Sequence, residues 1–106
     1  MLEKEIESKL VSEVRKRGGL CWKFTSPGRS GVPDRVVLYK GVCWFVELKA
    51  PGQRPRPLQQ QMFMQLGKHG FPVMVISSEA GVMRFVKDME EVRGCSSYRT
   101  SISGKL

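Results

Sequence analysis

A chain of 106 residues and 12.0 kDa, 41% apolar and 26% charged, has room for one domain and enough core-forming content to fold it, which excludes a two-domain scheme and a disordered basic tail. Its 18 Lys and Arg against 10 Asp and Glu give a formal +8 and a pI near 9.8, the balance of a folded protein whose partner is a polyanion. Cys21, Cys43 and Cys95 are odd in number and contain no C-x-x-C, so neither a disulfide framework nor a zinc knuckle is expected, and a lone His69 excludes His-rich metal sites and two-histidine catalysis.

In chain order, residues 2–17 place Leu2, Ile6, Leu10, Val11 and Val14 on one stripe among Glu, Lys, Ser and Arg, which predicts an amphipathic helix closed by Gly18-Gly19. Leu20 to Phe24 reads as a short strand, with Trp22 and Phe24 expected as packing residues, and Ser26 to Pro33 as a breaker-rich loop. Arg35 to Tyr39 and Val42 to Lys49 are β-branched, aromatic and apolar around Lys40-Gly41, the pattern of a tight hairpin. Ala50 to Pro57 is a proline-rich loop, and Leu58 to Lys68 a helix ended by Gly70. Phe71 to Ile76 is a continuous apolar run expected to be a strand buried on both faces beside a parallel neighbour. Ser78-Glu79 caps a last helix to about Val92 with Val82, Phe85, Val86 and Met89 inward. The methionines Met62, Met64, Met74, Met83 and Met89 are expected as gap-fillers at apolar positions. The order α-β-β-β-α-β-α gives an α/β domain over 1–93, followed by a polar Ser-rich tail, 94–106. The charged start and the lack of any apolar run near about 18 residues argue against a leader or membrane span, and reduced thiols in the cytoplasm are expected.

Between Glu13 and Glu79 the only acids are Asp34 and Glu47, set in a strongly basic stretch. With Lys40-Gly41 as a two-residue loop, Tyr39 faces Val42, Leu38 faces Cys43, and Asp34 comes opposite Glu47. Opposed like charges destabilise a sheet and call for a counterion. Lys49, two residues beyond Glu47, projects from the same face. Two carboxylates with open positions for water and phosphate oxygen make the kind of site Mg²⁺ prefers. Taken alone, Glu-Leu-Lys also reads as a solvated ion pair.

The segments Gly31-Val32-Pro33-Asp34-Arg35, Phe45-Val46-Glu47-Leu48-Lys49 and Pro57-Leu58-Gln59 together resemble the PD-(D/E)xK nuclease superfamily, and within it the virus-type replication-repair nuclease (VRR-NUC) branch. The resemblance runs from about Glu3 to Ile76. It implies a restriction-endonuclease-like αβββαβ core with a mixed central sheet flanked by helices, and Mg²⁺- or Mn²⁺-dependent hydrolysis of phosphodiester bonds in DNA. On the matching positions it makes Asp34 and Glu47 metal ligands, with the main-chain carbonyl of Leu48 completing the shell, Lys49 the catalytic lysine and Gln59 a supporting polar residue. A carboxylate on the first helix also belongs to the pattern, for which Glu7 is the better candidate and Glu3, one turn earlier, the other. No organic cofactor and no membrane partner are implied.

Arg29, Arg54 and Arg56, on the two loops that would flank the carboxylates, are candidate phosphate contacts, as are Lys23 and Arg35. Similarity to Holliday-junction resolvases implies branched DNA, a junction or flap, as substrate. Paired cuts from so small a chain call for two sites, hence a homodimer. The rival reading is a non-catalytic basic module that binds DNA or RNA, with Asp34, Glu47 and Lys49 as an ion-pair cluster.

Overall fold

The structure is a computed structural model describing residues 1–92; the expected tail, 94–106, and Cys95 lie outside the described residues. Its elements are α1 (Glu3–Lys16), β1 (Leu20–Lys23), β2 (Arg35–Tyr39), β3 (Val42–Leu48), α2 (Pro57–Lys68), β4 (Val73–Ile76) and α3 (Glu79–Glu90). The four strands form one mixed sheet in the order β1-β2-β3-β4, the first three antiparallel and β4 parallel to β3. This is the expected α/β architecture, a mixed sheet flanked by helices.

The hairpin sets the register. Lys40 and Gly41 both adopt positive φ, 48° and 80°, the conformation that turns two strands back on each other with matching twist. The pairs Tyr39↔Val42, Leu38↔Cys43, Val37↔Trp44, Val36↔Phe45 and Arg35↔Val46 follow. One step further the ladder ends and Asp34 comes opposite Glu47, as the loop length requires.

Period-two alternation then sorts the sheet into two faces. Cys21, Val37, Val46, Leu48 and Ile76 lie on one face, buried beneath Ile6, Leu10 and Val14 of α1 and Val82, Phe85, Val86 and Met89 of α3. Trp44 packs edge-on against Phe85 at 5.8 Å. The opposite face carries Phe45, which contacts Phe24 at 5.4 Å and Phe71 at 6.0 Å, together with Glu47 under α2.

Several expectations are corrected. β4 is paired on one side only, and Met74 and Val75 are 37% and 46% exposed, so the run is not buried on both faces. Trp22, 56% exposed on the face opposite α1, is not a packing residue. Met64, Met74 and Met83 are exposed as well, and of the five methionines only Met89 is fully buried. Leu2 is exposed at the start of α1, where the buried face instead includes Glu13. No helix among the described residues is long and apolar enough to cross a membrane.

Glu13 is buried because cations surround it: Arg17 at 2.8 Å, Lys16 at 3.0 Å and Lys9 at 3.4 Å. Arg17 continues to Glu90 at 2.8 Å and Lys9 to Glu79 at 3.5 Å, so the network ties α1 to both ends of α3. Hydrogen bonds from Arg17 and Lys16 lower the Glu13 pKa from 4.5 to about 2, against the opposing effect of burial. A carboxyl with a depressed folded pKa binds fewer protons in the folded state. Its stabilisation is therefore complete above about pH 4.5 and is lost as pH falls through about 2. Glu13→Gln is expected to lower the melting temperature at pH 7, with the gap to wild type closing towards pH 2 when both are melted by circular dichroism across that range.

Candidate active site

Asp34 sits where the ladder between β2 and β3 stops, and its position is fixed from both sides. Its carbonyl accepts the Phe24 N–H at 2.9 Å, and its own N–H donates to Glu47 Oε1 at 3.2 Å. Its carboxylate Oδ2 accepts the Leu48 N–H at 3.0 Å. The two acids thus interlock through each other's strand: Glu47 takes the backbone donor of Asp34, and Asp34 takes the donor that follows Glu47. Like charges are held side by side without touching carboxylate to carboxylate.

Glu47 is 1% exposed. Its second oxygen, Oε2, accepts Gln59 Nε2 at 2.9 Å and lies 3.0 Å from Lys49 Nζ. Burial pushes the Glu47 carboxyl up, the Lys49 hydrogen bond pulls it back, and the neighbouring Asp34 charge adds to the upward push. Lys49 follows β3, its N–H held by the Ile76 carbonyl at 3.0 Å, and its ammonium also donates to Gln59 Oε1 at 3.0 Å.

Gln59 joins these groups. Pro57 opens α2 with a pre-set φ, and Gln59 two residues on points back over the first turn. Its Oε1 accepts both the Arg56 N–H and Lys49 Nζ at 3.0 Å while its Nε2 serves Glu47. One amide therefore caps a helix, holds a lysine and satisfies a buried carboxylate. Gln60 and Gln61 are exposed, which answers the choice among three consecutive glutamines.

The motif loop is clamped to the same helix. Gly31 has φ 86°, and a Cβ there would meet Leu58 O at 3.3 Å and Gln59 Cα at 3.5 Å. Gly31, the first residue of the Gly31-Val32-Pro33-Asp34-Arg35 segment, thus lets the loop before β2 pack directly on the first turn of α2 that carries Gln59.

The other candidates lie elsewhere. Arg54 and Arg56 are exposed on the loop before α2, and Arg29 is exposed on the loop before β2, with Nη1 3.5 Å from Gln65 Oε1. Glu7 does not join Asp34 and Glu47: its Oε2 accepts Arg35 Nε at 2.8 Å, on the face of the sheet that α1 covers. Arg35 also donates to the Cys21 carbonyl at 3.3 Å, and Lys23 is exposed beside it. Because alternate residues of a strand face opposite ways, Asp34 and Arg35 address opposite sides of the sheet. Among the described residues no group of three or more His, Cys, Asp or Glu side chains is arranged to hold a metal ion.

No protein-family model matches the chain. A protein of Acyrthosiphon pisum secondary endosymbiont phage 1, named "Putative nuclease p44", is 53% identical over 78 residues, spanning 73% of this chain and 84% of that one. A solved structure described as a VRR_NUC domain superposes with a TM-score of 0.75 at 31% identity, covering 82% of this chain and 97% of the other. The fold and these two likenesses together define a nuclease domain of the restriction-endonuclease-like class. The chain belongs to the VRR-NUC family.

Gln59→Ala removes the shared partner of Lys49 and Glu47 without opening the main core. It is expected to retain the circular-dichroism spectrum while nuclease turnover falls about 10–100-fold, the range for losing a residue that orients a site's polar groups.

Proposed function

We propose that this domain is a divalent-metal-dependent DNA endonuclease acting through Asp34, Glu47 and Lys49. The observation that carries the reading is the interlocked carboxylate pair, with the lysine held against one of them by Gln59. The donor set suits Mg²⁺ or Mn²⁺: carboxylate oxygens of Asp34 and Glu47 and the Leu48 carbonyl are hard ligands, and Mg²⁺ needs only one or two carboxylates beside water and phosphate. A third carboxylate or a thiolate, as a closed structural site would require, is not part of the group.

A bound divalent ion would supply charge neutralisation at the scissile phosphate and a more acidic water. The chain's own part is positioning and charge. Asp34 is oriented by the Leu48 N–H, so its carboxylate is presented in one geometry before substrate arrives. Lys49 Nζ is held between Glu47 and Gln59 and can offer its cation to negative charge developing on phosphate oxygens. Burial raises the Glu47 carboxyl above its ordinary range, and the hydrogen bonds from Lys49 and Gln59 pull it back towards the charged form. Arg29, Arg54 and Arg56 stand on exposed loops where phosphates can reach them.

Branched DNA, a Holliday junction or flap met in replication, repair or recombination, is the proposed substrate, recognised through backbone and shape. A homodimer would place two such sites on one substrate. Leu20 and Trp22, 45% and 56% exposed on the sheet face opposite α1, are apolar surface that a second copy would cover. The cytoplasm is the proposed compartment, where Cys21 and Cys43 would remain the free thiols they are here.

The test is cleavage of supercoiled plasmid and a labelled four-way junction with Mg²⁺, Mn²⁺ or EDTA. Wild type is expected to cut only with metal, and Asp34→Ala, Glu47→Ala and Lys49→Ala to lose at least about 100-fold, comparable with losing a main electrostatic contributor. Intact substrate with wild type, or metal-independent binding without cutting, would return the chain to a basic binding module. Sedimentation of wild type and Trp22→Glu checks the dimer: wild type is expected to sediment as a dimer and the variant as a monomer.

A further inference from the structure

A substantial concavity lies away from the carboxylate pair. It is a groove of about 730 Å³ between α1 and the Lys23/Arg35 end of β1 and β2, on the opposite side of the sheet from Glu47. Lys4, Arg15, Lys16, Lys23 and Arg35 bring five cations to it, and Ser8 and Ser12 add hydroxyl donors on the same helix face. Its one carboxylate, Glu7, is already engaged by Arg35.

Three of these five cations are not used by the fold. Arg17, Lys16 and Lys9 are consumed by Glu13, but Lys4, Arg15 and Lys23 have no ion-pair partner among the described residues. The helix positions 4, 8, 12 and 15 fall close to one line, one turn apart. From Lys4 to Arg15 that line is about 16 Å long, at about 1.5 Å per residue. Phosphates of one strand recur about every 3.4 Å along a duplex axis, so the groove passes several of them. Arg35 ties the groove's end to Asp34 through a single peptide, so a backbone lying here belongs to nucleic acid immediately flanking the cut.

We infer that this groove is a second phosphate-backbone site, holding an arm of the nucleic acid whose scissile phosphate lies at Asp34 and Glu47. This rests on the nuclease reading proposed for that pair. A substrate that engages both must pass around the end of the sheet, which a bent or branched molecule does and a straight duplex on one face does not. The groove therefore supplies a physical reason for preferring branched substrates, with no base contact involved.

The experiment is equilibrium binding of a fluorescein-labelled four-way junction in EDTA at several salt concentrations, so that binding is read whether or not the protein cuts. The triple variant Lys4→Ala/Arg15→Ala/Lys23→Ala is compared with wild type and with a charge-matched control, Lys40→Ala/Arg84→Ala/Lys87→Ala, all checked for folding by circular dichroism. The groove variant is expected to lose about tenfold or more in affinity, its salt slope falling by roughly 0.9 for each contact removed, with the control close to wild type. Unchanged affinity and slope, or an equal loss in the control, overturns the inference. A groove variant that binds weakly beside a wild type that never cuts with Mg²⁺ supports the groove and removes only the catalytic reading.

Discussion

The rest of the site depends on one buried charge. Glu47 lies in the middle of the molecule, between a neighbouring acid and an apolar sheet, where an isolated carboxylate would be expensive. Three partners make it tolerable: the Asp34 N–H, the Gln59 amide and the Lys49 ammonium. Each partner constrains a different element. Asp34 brings the loop before β2, Gln59 the first turn of α2, and Lys49 the exit of β3 at the point where β4 pairs. Satisfying one carboxylate therefore fixes the mutual placement of nearly every segment around the site.

The same logic explains why the two acids are adjacent yet not in direct conflict. Each carboxylate takes a backbone N–H from the other's strand, so the cross-strand pair is stitched by hydrogen bonds at the level where the regular ladder ends. That arrangement uses donors that would otherwise be unpaired at a strand terminus. It also leaves a concentration of negative charge inside a basic chain. Repulsion between the acids is offset on one side by Lys49, and a divalent ion, as proposed, would offset it on the other.

Much of this was legible in the residues. Lys40-Gly41 dictates the turn, the turn dictates the register, and the register places Asp34 across from Glu47; no tertiary information is needed for those steps. Gln59 was legible through its place after Pro57. What was not legible depends on surroundings that a local pattern does not report. The apolar run at Val73–Ile76 looks the same in a central strand and at an edge, and only the strand order distinguishes them. Glu13 looks like one more exposed helix acid until Arg17, Lys16 and α3 are seen to enclose it. Glu7 has the helix position of a family acid, but α1 lies over the other face of the sheet and Arg35 reaches it first.

Positive charge likewise divides into two roles that a net +8 cannot separate. One set neutralises the protein's own acids: Arg17, Lys16 and Lys9 surround Glu13, Arg35 holds Glu7, and Lys49 serves Glu47. The remainder stands free, on the loops around Asp34 and along the groove beside α1. The first set holds α1 on α3 and a lysine on a carboxylate, and apart from Lys49 it is withdrawn from any ligand. The second carries no structural obligation, and its side chains keep their rotamer freedom until a polyanion orders them. Free cations on both sides of the sheet favour association with nucleic acid over much of the described surface, whereas the oxygen ligands proposed for hydrolysis sit at one end of one hairpin. Attraction can then be broad and backbone-directed while the chemistry stays confined to the phosphate that reaches Asp34 and Glu47.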